Sequence, residues 1–251
     1  VNNVFIGHRV SDGSMSNAIQ NVGIGSQALG ALTTGDENVA IGYRSMYDVL
    51  DGQQNVGVGG YTLYENTEGN YNTALGYNAG RLLTAGDNNV AIGRQAFDAA
   101  SVGESDNIAI GVNALGTVDE GTAGGDADFN IAIGTNALLG GDFAGNDRQL
   151  QGNIAIGAYA LDGTTTSAST GAIAIGTSSQ TAMTVDGANT MIGHNSGMAL
   201  VTGATNTALG YHTLKSAAVG ESNNVAIGSH AMSACDEGSA GGDIDHNVAI
   251  G

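Results

Sequence analysis

Along this chain one five-residue pattern returns fourteen times: Asn, a β-branched residue, a small residue, an aliphatic residue, Gly. Its glycines are Gly7, Gly25, Gly42, Gly59, Gly76, Gly93, Gly111, Gly134, Gly157, Gly176, Gly193, Gly210, Gly228 and Gly251. They stand mostly 17 or 18 residues apart, once 19 and three times 23. The second position is Val, Ile or Thr in every copy, as in Val39, Thr73 and Ile108, and the fourth is Ile, Val or Leu, as in Ile41, Val58 and Leu75. Positions two apart share one face of a strand, so each copy predicts a short strand, and β-branching favours it. The two aliphatic columns are the predicted core. Between them lies Ala in ten copies and Gly in two, with Phe5 and Met191 the large exceptions. An outward strand position normally carries a polar residue. A column of Ala and Gly there predicts tight cover by a neighbouring identical chain. Ala40, Ala74, Ala91, Ala109, Ala132, Ala155 and Ala226 are the expected chain-to-chain contacts.

The glycine column predicts a bend that excludes a side chain. Asn opens thirteen copies, with Ala172 in the fourteenth, and stacked asparagines suit a hydrogen-bonded ladder. After each glycine a second, weaker strand is expected, for example Ser26 to Leu29, Tyr43 to Met46, Arg94 to Phe97 and Tyr211 to Leu214. A Gly-, Asp-, Thr- and Ser-rich stretch then returns the chain to the next Asn. Two strands and two bends per copy describe an all-β parallel β-roll or solenoid of about 14 coils, roughly 60–70 Å long at the usual strand spacing. Repeats that touch only their neighbours leave no domain boundary within residues 1–251.

Composition narrows this further. With 42 glycines, no proline, no tryptophan and 5% aromatic residues, the core must be thin and repeated rather than filled by large rings. A net charge of −18, from 24 acidic against six basic residues, repels phosphate backbones and anionic membrane surfaces. No stretch reads as a membrane span or a signal peptide. Both ends fall inside the repeat, so the chain is expected to be a section of a longer polypeptide. The single cysteine, Cys235, allows no intrachain disulfide, and its equivalent Val118 gives it a small-hydrophobe role.

Three segments are especially regular: Asn38, Val39, Ala40, Ile41 and Gly42; Asn89, Val90, Ala91, Ile92 and Gly93; Asn224, Val225, Ala226, Ile227 and Gly228. They resemble the repeats of trimeric autotransporter adhesin heads, and the resemblance covers the whole chain. It implies a left-handed parallel β-roll with three chains packed about a threefold axis. Copies of 17 residues, such as the one from Asn206 to Leu214, are also similar to viral tail-fibre shafts. The implied function is a non-enzymatic structural or adhesive shaft of an extracellular fibre, on a virion or a bacterial surface. Its expected partners are two further copies of itself and a cell-surface glycan or protein receptor, with no nucleic acid and no membrane insertion. The alternatives are an ice- or surface-lattice-binding solenoid, and a glycan-cleaving fibre.

Among candidate sites, two near-duplicate acidic insertions stand out. Asp119, Glu120, Asp126 and Asp128 lie in one; Asp236, Glu237, Asp243 and Asp245 lie in the other. Four carboxylates in a Gly-rich loop suit Ca²⁺, a hard cation with six to eight oxygen ligands, against the plainer reading of a solvated loop. No other cofactor is implied. Tyr43, Tyr61 and Tyr77 follow successive bends and are expected to form a stripe, a surface for a ligand or for chain packing. His212 and His230 share a column and are expected about 5 Å apart. No nucleophile elbow, phosphate loop or zinc-helix signature appears.

Overall fold

The computed structural model describes residues 2–100, 103–118, 127–140, 149–163, 169–183, 187–216, 220–235 and 244–251. Among these, fourteen strands of three residues, from Val4–Ile6 to Val248–Ile250, form one parallel sheet in which each repeat pairs with the next. The register keeps every column aligned: Val39 faces Val56, Ala40 faces Gly57 and Ile41 faces Val58. A two-residue pair, Leu150–Gln151 beside Ser169–Thr170, adds a local ladder. No helix is present among the described residues, and the chain is a parallel β-solenoid.

The segment after each bend glycine is not the second strand that the pattern predicts. Its second and fourth residues have positive φ, as in Gln27 and Leu29 or Arg44 and Met46. The residues between them do not, so the backbone alternates hand and its hydrogen bonds alternate direction. Arg44 N–H donates to Ser26 O in the preceding coil (3.0 Å), whereas Met46 N–H donates to Thr62 O in the following one (2.8 Å). This segment is a hydrogen-bonded turn ladder. Bulky β-branched side chains are strongly disfavoured at positive φ, and those two columns contain no Val, Ile or Thr. They hold Leu29, Met46, Leu63, Phe97, Leu115 and Leu138 instead.

The core is arranged the opposite way from the sequence reading. Ala40, Ala74, Ala91, Ala109, Ala132, Ala155 and Ala226 are at most 2% exposed within the single chain, so they are core residues and not contacts with a neighbouring chain. The flanking aliphatic residues point outward instead, and Ile41, Leu75 and Leu209 are exposed. The physical reason is the thinness of the roll. The turn ladder lies directly across from the strand and fills the interior with Leu29, Met46, Phe97, Leu115 and their equivalents. Leu32, Val49, Leu83 and Val118 add a third buried column. Only a methyl group or a hydrogen fits opposite them. Where the strand carries Met191, the turn residue facing it is Gly197, and a Cβ there would stand 2.8 Å from Met191 Sδ.

Two further columns lock the stack. Asn38 Nδ2 donates to Gly52 O (2.7 Å) across the coil, and its Oδ1 accepts from the Asn55 N–H (3.0 Å) in the next. The same rungs recur at Asn55, Asn72, Asn89, Asn107 and Asn130, and these side chains are fully buried. A buried amide left unpaired would cost about 1–3 kcal/mol. The ladder loses a member at Ala172: its own N–H still reaches Asn153 Oδ1 (3.0 Å), but the Asn189 N–H turns to the Gly187 carbonyl. The bend glycines need their identity twice over. Gly93 has φ of 132°, and a Cβ there would meet Gly111 O at 2.5 Å.

Candidate functional site

Three surfaces combine chemistry with position. The first is the outer face of the sheet. Because the strands stay in register, Val39, Val56, Thr73, Val90 and Ile108 form one column, and Ile41, Val58, Leu75, Ile92 and Ile110 form the other. Both run from the first strand to the last. Fourteen strands at about 4.8 Å spacing and two side chains across give a largely aliphatic band on the order of 600 Å², at the upper end for a monomer's largest apolar patch. Sequence reasoning placed these residues in the core. The alternation that suggested this was real; the face was inverted.

The second surface is an aromatic edge along the turn ladder. Tyr43, Tyr61 and Tyr77 are brought together as the sequence suggested. Their rings meet edge to face, 5.2 Å from Tyr43 to Tyr61 and 5.9 Å from Tyr61 to Tyr77. Tyr64 joins Tyr61 at 5.6 Å and lies nearly parallel to Tyr47, at 5.5 Å and 8°. The Arg44 guanidinium stands 5.4 Å from the Tyr43 ring and 5.3 Å from Tyr47, and its Nε donates to Gln27 Oε1 at 2.9 Å. Loss of water and the neighbouring Tyr43 raise the Tyr61 hydroxyl above the ordinary tyrosine range. Desolvation, aided by the Asp48 carboxylate, does the same to Tyr64. Desolvation also raises Asp48 itself, against the opposing pull of Arg44. Tyr47 and Tyr64, which the sequence crowds into the same coils as the three-residue stripe, complete this cluster. Spacing shows them, since both stand five residues after a bend glycine.

Two shallow clefts flank this edge. One of about 270 Å³ is bounded by Arg9, Asp12, Gln27, Gly30 and Tyr47. The other, of about 300 Å³, lies among Asp48, Leu50, Glu65, Thr67 and Thr84.

The third surface is a second ring cluster near the other end of the array. His212 and His230 lie 5.2 Å apart, as their shared column requires, and His194 and Tyr211 join them at 5.7 and 3.8 Å from His212. Asn195 Nδ2 lies 3.2 Å from His212 Nε2, and Ser229 Oγ lies 2.9 Å from His230 Nδ1. Desolvation, then the charges of Lys215, His230 and His194, push His212 below the ordinary histidine range. Among the described residues, no three or more His, Cys, Asp or Glu side chains are grouped to hold a metal ion.

Of the acidic insertions, Asp119, Glu120, Asp126, Asp236, Glu237 and Asp243 lie outside the described residues. Asp128 and Asp245 are described, and both have work inside the fold. Asp128 Oδ1 accepts from the Ser105 N–H (2.7 Å), and Asp245 Oδ1 from the Ser222 N–H (2.6 Å). The same contact recurs two residues before other Asn rungs, where Asp36 accepts from the Ile19 N–H (2.8 Å) and Asp87 from the Asn70 N–H (2.6 Å). Among the described residues no helix is long and apolar enough to cross a membrane. Comparison with family models, with curated proteins and with solved structures finds no match to this chain.

Proposed function

We propose that this chain is the non-enzymatic shaft of an extracellular fibre, a viral tail fibre or a bacterial surface adhesin, that mediates attachment to a cell surface. In this reading its aliphatic sheet face is covered by two identical chains about a threefold axis. The observation that carries the proposal is the outward band from Val4 and Ile6 to Val248 and Ile250. Its two columns lie in perfect register along the full sheet, and a second copy of the same chain presents the same spacing. Each coil adds a little apolar contact, so the association grows with the number of repeats. The acidic turns remain in water, where the charge keeps separate fibres apart. Attachment would gain strength from many identical weak contacts along a multimeric rod.

Sedimentation equilibrium of the isolated chain tests this. The expected mass is three times 24.9 kDa. The double substitution Ile92→Asp and Ile133→Asp places charge in the middle of the band and is expected to give folded monomers. A wild-type monomer with its aliphatic face in water would overturn the proposal. In that case a second reading gains from one specific observation: Thr73, Thr190 and Thr207 lie on the outward columns, where an uncovered, evenly spaced ladder would suit an ice or mineral lattice. Altered ice-crystal growth by a monomeric chain would select it.

A further inference from the structure

We infer that the cleft at Arg9, Asp12, Gln27, Gly30 and Tyr47 is a binding site for one neutral hexose ring of a surface glycan. This rests on the adhesive reading above and names its ligand class.

The site begins with a missing side chain. The fifth residue after each bend glycine projects from the turn edge, and the first four coils place Asp12, Gly30, Tyr47 and Tyr64 there. Gly30 is not among the positive-φ glycines, so its backbone does not demand glycine. What it supplies is room. A Cβ at Gly30 would stand 2.5 Å from Cδ2 and Cε2 of Tyr47, so the ring leans into the notch and becomes its wall. Tyr64 stacks behind that ring and the Arg44 guanidinium lies over it, 5.3 Å from its centroid, so the wall is held in place before any ligand arrives.

Polar groups surround the notch on the other sides. Arg9 and Asp12 form an ion pair at 3.5 Å, both more than half exposed. Such a pair contributes little in water and can turn to a ligand at small cost. Gln27 offers its amide donors, its carbonyl already accepting from Arg44 Nε, while Arg9 offers donors only and Asp12 acceptors only. A pyranose needs this combination: adjacent hydroxyls that both donate and accept, and an apolar C–H face that packs on an aromatic ring. A volume of about 270 Å³ lies just below the range for small-molecule sites and suits a single ring. The Asp12 carboxylate and the net charge of −18 disfavour an acidic sugar. Repeated copies in a multimer would raise a weak single-site affinity.

Saturation-transfer NMR of the full chain with methyl glucoside, methyl galactoside and methyl mannoside is the test, with sialic acid as the anionic comparison. Transfer to the ring protons of at least one neutral hexoside is expected. Tyr47→Ala, Gly30→Leu and Asp12→Ala should each weaken it at least about tenfold, the ratio that one lost contact of ordinary strength gives, while Tyr159→Ala, at an exposed position outside both ring clusters, leaves it unchanged. Asp12→Ala alters only an exposed turn, so a folding defect in Gly30→Leu does not blunt the test. Transfer to none of the hexosides, transfer to sialic acid alone, or transfer indifferent to all three substitutions would overturn the site. Mass measured on the same samples separates the two readings. A trimer without sugar binding sinks the cleft alone, and a monomer that binds sugar sinks the shaft alone.

Discussion

The two faces of each three-residue strand differ in what they can accept. On the inner face Ala109 is fully buried, pressed between its neighbours Ala91 and Ala132 and the side chains of the turn ladder. On the outer face Ile108 and Ile110 are only half-buried. Bulk therefore sits outside and smallness inside, the reverse of a strand in an ordinary sandwich. The interior of a roll this thin is filled from the turn side, by residues at positive φ, and the strand contributes little more than a wall. An aliphatic face of this length is then left facing outward.

Placing leucine on each face in turn is the strongest way to break this comparison. Ala109→Leu forces extra carbons into a filled interior and should destabilise by about 3 kcal/mol. Ile108→Leu, one residue away on the outer face, should change the stability of the isolated chain by less than about 0.5 kcal/mol. Urea titrations of the two variants that came out equal would mean that the faces are not distinguished by packing.

A smaller effect sharpens the account of the interior. Met191 and Gly197 share the space that Ala208 and Leu214 share in the next coil. Met191→Ala alone leaves a cavity costing about 2 kcal/mol or more, and Gly197→Leu alone overpacks the site by about 2 kcal/mol. Together they recreate the neighbouring pair, since Leu214 adopts φ of 45° at the equivalent position. The double variant should be more stable than either single one. Additive losses in the thermodynamic cycle would show that the two positions are not coupled.

Next in size is the ladder between the faces. Ala172→Asn restores the carbonyl that other rungs offer to the following N–H, and a gain of about 1 kcal/mol in thermal or chemical unfolding is expected. A loss would mean that the Asn189 N–H is already better served by Gly187.

The smallest effect is electrostatic. His212 is held below the ordinary histidine value in the folded chain, so above that value both states are neutral there and no stability is lost. As the pH falls from the ordinary value through the depressed one, the unfolded chain takes up the proton first and folding is penalised. Proton NMR should show His212 titrating below the ordinary histidine value, and His230→Asn should move it upward by removing one of the neighbouring charges. An unmoved midpoint would remove His230 from the causes and leave desolvation, Lys215 and His194.

How much of this was legible beforehand depended on periodicity. Fourteen aligned copies gave the strands, their parallel order, the bend glycines and the Asn ladder, because each column must satisfy the same local geometry in every coil. The turn ladder was misread as a strand. Ala28 and Leu29 look like strand residues, and the signal that corrects them is negative: Val, Ile and Thr are absent from the two columns that hold Gln27 and Leu29. The Tyr stripe was legible by the same alignment, while the cleft beside it was not, since a notch at Gly30 depends on where the Tyr47 ring leans.

By itself, then, the sequence determined a repeating parallel β-solenoid, its coil length and the residues of each column, because backbone geometry at a bend or a rung is a local matter. Which face of the strand lies inside follows from packing across the roll. Alternation separates Ala40 from Val39 and Ile41 but does not say which side meets the turn ladder; the width of the roll, fixed by Leu29, Met46 and their equivalents, admits the methyl group and excludes the larger side chains.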